Sequence, residues 1–133
     1  MTIGQAYTRF FIIFFTVVSI PCVLRPLTDA KGGGLFLGKR TANALGLFRI
    51  NWFHAVLHMA LAVVGLTALG STERSRMFAR LNFIACAILV AIGLTTENGT
   101  KHIPANRADD IINSAVGLAG LVVGFTPIAH REL

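Results

Sequence analysis

Asn51-Trp52-Phe53-His54-Ala55-Val56-Leu57-His58-Met59-Ala60-Leu61-Ala62-Val63-Val64-Gly65-Leu66 decides how this chain is read. Asn51, His54, His58 and Gly65 are spaced i, i+3, i+7 and i+14, which puts all four on one face of a helix at about 100° per residue. The run from Ile50 to Leu69 carries no formal charge over twenty residues. Twenty residues make about 30 Å of helix, the thickness of a bilayer core. The stretch reads as a membrane helix with a polar seam along one side.

Working outward, three more apolar runs appear. Phe10 to Leu24 is bracketed by Arg9 and Arg25. With Ile3 to Tyr7 added and Arg9 snorkelling, it reads as a first helix over 3–24 whose last turns Pro21 kinks or ends. A signal peptide is the competing reading, but Leu27-Thr28-Asp29-Ala30 is a poor cleavage match. The second helix covers 50–69, and Gly70-Ser71 stops it. A short basic connection with Arg74, Arg76 and Arg80 precedes a third helix over 81–96, which carries Asn82, Cys86, Leu89 and Gly93 on one face. Glu97 to Thr100 forms a turn. The Asn98-Gly99-Thr100 sequon there is a frequent chance match. The fourth helix covers 109–129, with Asn106 as N-cap and Asp109 in a first turn that favours negative charge. Asn113, Gly117, Gly120 and Gly124 share one of its faces, and Gly120-x-x-x-Gly124 permits close helix contact in lipid.

Bulk composition agrees with this. Of 133 residues, 54% are hydrophobic and 14% charged, against about 25% charged in a soluble domain. Mean hydropathy is +0.68. The expected fold is all-α, an integral membrane four-helix bundle in one domain of 1–133. The net charge of +6 fits Lys and Arg beside lipid headgroups. Nucleic acid is a poor partner, since no basic stripe is interleaved with aromatics. Cys22 and Cys86 fall near opposite faces of the membrane, too far apart for a disulfide.

The segment from Arg25 to Arg49 is the longest polar stretch. Lys31-Gly32-Gly33-Gly34 is a flexible break, without the ending of a phosphate loop. Leu35 to Leu37 and Leu45 to Phe48 are expected in the membrane interface. Even-numbered spans put both termini on one side. Arg25, Lys31, Lys39, Arg40, Arg49, Lys101 and Arg107 then face Arg9, Arg74, Arg76, Arg80 and Arg131 across the membrane. Seven against five does not set the orientation.

The second and fourth helices start from the same membrane face. His54, Asp109, Asn113 and Glu97 are therefore expected at one depth, with His58 about 6 Å deeper. The plain expectation is a hydrogen-bonded latch from His54 to Asp109 or Asn113, built on Asn51, Asp109 and Asn113. The sharper one is a ligand site, with His54 or His58 holding a haem or chlorophyll, or both joining a carboxylate on a divalent ion. A proton relay is the third. Zinc-protease chemistry is not indicated, because Ala55 stands where that motif needs Glu. Ser19 and Ser114 have no His at motif spacing, and Asp109 and Asp110 point about 100° apart, so no acid/base dyad forms. Gly65, Gly93, Gly117, Gly120 and Gly124 are the expected helix-packing positions.

With these residues in view, the chain resembles the domain of unknown function 4383 family, small four-helix bacterial membrane proteins. Asn51, His54, His58 and Gly65-Leu66 match the opening of that family's second helix. Pro104, Asn106, Ala108 and Asp109 match the opening of its fourth. The likeness spans roughly residues 8 to 129. The chain departs from the family pattern at Ala55, where Asn is usual, and at Asn113, where a His is usual. The missing histidine weakens any metal site that would use it. The resemblance implies topology more than activity. The functional expectation is a non-enzymatic accessory or structural subunit of a larger membrane complex, photosynthetic or respiratory, in a bacterial inner or thylakoid-type membrane, helping hold pigment or lipid. The alternative is an autonomous metal- or haem-binding membrane protein using His54, His58 and Asp109.

Overall fold

The computed structural model describes residues 1–31, 36, 41–96, 99–100 and 102–133. The chain forms α1 (Ile3–Ser19), a hairpin of β1 (Ala42–Ala44) and β2 (Phe48–Ile50), α2 (Trp52–Ala68), α3 (Thr72–Thr95) and α4 (Arg107–Phe125), with 3-10 turns at Arg25–Leu27 and Pro127–His130.

Capping residues set the helix starts. Thr2 and Gln5 form a reciprocal capping box on α1. Asn51 accepts from the backbone of Phe53 and His54 at the head of α2. Ser71 accepts from Arg74 at the head of α3, and Asn106 pairs with Asp109 on α4. Each satisfies backbone N–H groups that have no partner inside the helix.

Three boundaries differ by more than one helical turn from those read in the sequence. The first helix ends at Ser19 rather than Leu24, because Pro21 offers no N–H to extend it. The fourth ends at Phe125 rather than Ala129, because Pro127 starts a 3-10 turn. The third begins at Thr72, so the basic connection with Arg74, Arg76 and Arg80 is helix. Ser75, Phe78, Ala79, Asn82 and Cys86 form its buried stripe at helical spacing. Arginine is a good helix former, and Ser71 supplies the cap.

α1 and α2 pack as one hairpin and α3 and α4 as a second, closer one. α1 and α3 meet across the short diagonal between them. α2 and α4 take the far corners and make little contact among the described residues. Tyr7, Phe11 and Phe15 of α1 fill the centre against Leu61, Phe78, Ala79 and Val116. Both termini lie at one end. Ile3 N–H donates to the Arg131 carbonyl at 2.8 Å, and Leu133 N–H donates to that of Met1 at 3.1 Å.

At the other end the segment before α2 builds a cap. A second small core of Cys22, Ala42, Ala44, Ile50 and Ala55 lies under it. The hairpin turns at Leu45 and Gly46, with φ of +52° and +71°. Leu47 N–H closes the turn on the Ala44 carbonyl at 2.9 Å. Positive φ at both central residues matches the twist of a tight hairpin, although leucine rarely adopts it. Leu45, Leu47 and Phe36 are exposed at this cap. Leu35, Leu37, the three glycines at 32–34, Lys39, Arg40, Glu97, Asn98 and Lys101 lie outside the described residues.

α3 and α4 are each long and apolar enough to cross a membrane, and α1 and α2 are apolar helices of 17 residues. Their outer faces carry exposed large apolar side chains, including Phe10 and Ile13 on α1, Val56 and Leu66 on α2, Ile84 and Ile88 on α3, and Leu118 and Val122 on α4.

Candidate functional site

The polar residues singled out in the sequence gather at the capped end, with a different wiring from the one expected. Asp109 is buried in the first turn of α4. Its Oδ2 accepts from Asn106 N–H at 2.9 Å and from Arg49 N–H at 3.1 Å. The Asn106 Oδ1 accepts from Asp109 N–H at 3.0 Å, and its Nδ2 donates to the Leu47 carbonyl at 2.7 Å. The two residues thus cap their own helix and grip β2 and its turn. One carboxylate oxygen serves two backbone donors, a charge-assisted arrangement stronger than neutral pairs.

Asn51 makes a parallel connection. Its Oδ1 caps α2, and its Nδ2 donates to the His102 carbonyl at 3.3 Å. That ties the start of α2 to the segment leading into α4. On the far edge of the cap, Asn43 donates to Asp29 through its backbone at 2.7 Å and through its side chain at 2.6 Å. These bonds, the backbone one foremost, hold the Asp29 carboxyl below its usual value.

The histidines stand apart from Asp109. His54 Nδ1 lies 3.3 Å from Asn51 Oδ1, so its bond stays within the first turn of its own helix. His58 stacks on Phe15 of α1, with ring centroids 5.6 Å apart and planes at 21°. It meets His54 edge-on at 5.9 Å. Its Nδ1 is buried and makes no hydrogen bond among the described residues. Asn113 sits against α3, its Oδ1 at a long 4.0 Å from Cys86 Sγ.

The expected latch from His54 to Asp109 or Asn113 is therefore corrected. A common level along the bundle does not make neighbours of helices on opposite corners. Asp109 instead reaches the hairpin that precedes α2. No three His, Cys, Asp or Glu side chains converge as metal ligands among the described residues, so His54, His58 and Asp109 do not form one cluster. Both cysteines are free and buried, Cys22 under the cap and Cys86 in α3.

Residues 5–126 match the family described as a domain of unknown function (DUF4383). The chain belongs to the DUF4383 family. The match takes in all of α2, α3 and α4, all of α1 except Ile3 and Gly4, and the openings of the second and fourth helices. No curated protein and no solved structure matches the chain.

In this DUF4383 chain the glycines sit where helices touch. A Cβ on Gly65 would lie 2.7 Å from Ile12 and 3.2 Å from Phe78, where α1, α2 and α3 meet. One on Gly93 would overlap the Asp110 carboxylate. On α4, a Cβ would approach Cys86 at 3.1 Å from Gly117, the Ala79 carbonyl at 2.7 Å from Gly120, and Arg80 at 2.8 Å from Gly124. All three of these face α3.

The partners of three structural residues were not read from the sequence. Arg80 Nε donates to the Gly124 carbonyl at 2.8 Å, and its guanidinium lies 5.1 Å from the centre of the Phe125 ring. Asn82, fully buried, donates to the Tyr7 hydroxyl at 3.2 Å. Ser75 bonds the Ala68 carbonyl at 3.2 Å. A lone tyrosine in an apolar helix was the available signal, since its hydroxyl needs a buried partner.

Proposed function

We propose that this chain is a small non-enzymatic integral membrane protein, an accessory or structural subunit held against a larger membrane assembly. The observation that carries this is the outer surface. Exposed apolar side chains cover the outward faces of all four helices. Water would not tolerate a patch of that extent, whereas lipid and partner helices suit it. The matched family residues support a structural role, because Asn51, Asn106 and Asp109 spend their hydrogen bonds on backbone groups that hold the cap. Photosynthetic or respiratory complexes of a bacterial inner or thylakoid-type membrane are the assemblies we place it beside, with lipid filling the remaining surface.

A second reading has its own support. The buried Nδ1 of His58, stacked on Phe15, has no hydrogen-bond partner among the described residues, an unmet need that ligation of a haem, a chlorophyll or a metal ion would answer. Native-gel purification of the tagged protein from its own membrane, with an absorption spectrum and metal analysis, tests both. Migration within a large complex supports the subunit reading. A small band with stoichiometric haem or metal, lost in His58→Ala, supports the second. A small colourless, metal-free band rejects both.

A further inference from the structure

We infer that the outer groove between α3 and α4 is an interface for a second copy of this chain. The inference rests on the membrane reading above and adds a partner to it. The groove has a volume of about 480 Å³. Ala87, Ala91 and Gly117 line it between the projecting side chains of Leu94 and Leu118, which are 77% and 61% exposed. Small residues beside large ones let a helix ridge from another molecule settle between the two backbones.

Two polar side chains also line it. Asn113 and Ser114 lie six and seven residues inside α4, about 9–10 Å along its axis. The Ser114 hydroxyl makes no side-chain hydrogen bond among the described residues, and Asn113 has only its long contact with the Cys86 thiol. Polar groups at such a depth in hydrocarbon call for a partner. An amide and a hydroxyl each both donate and accept, so the same surface on a second copy supplies what they lack.

Charge on α4 one turn before the groove's polar lining selects the same occupant. Arg107 is exposed, and Asp110, one turn on, is half-buried: its Oδ1 is tucked beside Gly93 of α3, and its Oδ2 is the oxygen left open to a neighbour. Helical spacing of i, i+3, i+7 and i+11 puts Arg107, Asp110, Ser114 and Leu118 on one side of α4. Neither charge forms an ion pair within the chain among the described residues. About a two-fold axis along the membrane normal, Arg107 of each copy faces Asp110 of the other. A two-fold interface needs a self-complementary patch of this kind.

The test uses the full chain in lipid vesicles, with energy transfer between two labelled populations across a series of protein-to-lipid ratios. Resistance to carbonate extraction is scored first. Wild type is expected to dimerise. Asn113→Leu should weaken association about threefold to tenfold, and Ala87→Trp should abolish it by filling the groove. Arg107→Asp should weaken it, and adding Asp110→Arg should restore it. Ile88→Trp, on the exposed face outside the groove, should change nothing. A carbonate-resistant monomer overturns the proposal while leaving the membrane reading intact. So does a dimer indifferent to Ala87→Trp and Arg107→Asp. Release by carbonate overturns the membrane reading and the proposal with it.

Discussion

Replacing Asp109 with alanine removes one carboxylate oxygen that serves two backbone donors, Asn106 N–H at 2.9 Å and Arg49 N–H at 3.1 Å. Loss of half the capping box costs about 1 kcal/mol. The Arg49 amide then loses its acceptor on a buried carboxylate, which costs about 1–3 kcal/mol. Together the hairpin's hold on α4 should weaken by about 2–4 kcal/mol, or about 30-fold to several hundred-fold in the local opening equilibrium. The effect is local, because α4 keeps its packing on α3. Amide hydrogen exchange, resolved residue by residue in detergent or nanodiscs, reads that opening directly. Arg49 and the β1–β2 amides should exchange faster, and the Asn82 and Cys86 amides in the middle of α3 should not. Asp109→Asn keeps an acceptor but not the charge, so it should cost about 1 kcal/mol. Unchanged Arg49 exchange in Asp109→Ala would refute the clamp. Faster exchange confined to His54 and its turn would point back to a direct His54–Asp109 contact.

Four further outcomes are expected. A double-mutant cycle of His54→Ala with Asp109→Ala should be additive within about 0.5 kcal/mol, whereas His54→Ala with Asn51→Ala should couple through the 3.3 Å contact; chemical unfolding in detergent measures both. Gly120→Ala should destabilise by about 1–3 kcal/mol, because the new Cβ meets the Ala79 backbone carbonyl at 2.7 Å. Gly70→Ala, facing only the end of the Arg74 side chain at 3.5 Å, should leave thermal unfolding almost unchanged. Arg80→Ala loses both the Gly124 carbonyl bond and the Phe125 ring contact; a drop of about 2 kcal/mol is expected, with Arg80→Lys recovering part of it. Asp29 has a lowered folded-state pKa, so its support of the cap is complete above the ordinary carboxylate range and is lost as pH falls through the lowered value. The Asn43 amide resonance should titrate with a midpoint below that of an unfolded-chain aspartate; a midpoint at or above it would contradict the pairing.

Local chemistry made much of this legible in the sequence. Asn51 and Asn106 announce helix starts because a short polar side chain before an apolar run can take up free N–H groups. Gly117, Gly120 and Gly124 declare one packing face by spacing alone. Which helix that face meets was not legible, because periodicity gives a direction and not a neighbour. The start of α3 was missed for a related reason. Arg74, Arg76 and Arg80 read as a connection by charge, but one end of a long helix extends past the apolar run, and Arg80 folds back onto the end of α4. The hairpin was hidden too. Ala42-Asn43-Ala44 and Phe48-Arg49-Ile50 are strands of three residues each, too short to show alternation.

The misplaced latch shows how far depth alone can mislead. Asp109 and His54 start their helices at the same end, and a four-cornered bundle invites a bond between them. The diagonal is occupied by α1 and α3, so among the described residues the polar ends of α2 and α4 are joined through the hairpin before α2 and through the Asn51–His102 bond. That division has a consequence for the surface. The cap consumes the hydrogen-bonding capacity of Asn51, Asn106 and Asp109 on backbone groups of the same chain. One turn further along α4, Asn113 and Ser114 have no such use, and they open toward the groove with α3. The same helix therefore closes the fold with its first turn and offers unmet hydrogen bonds to a neighbour with its next. Asp109 variants should loosen the cap without altering association, and Asn113 variants should do the reverse.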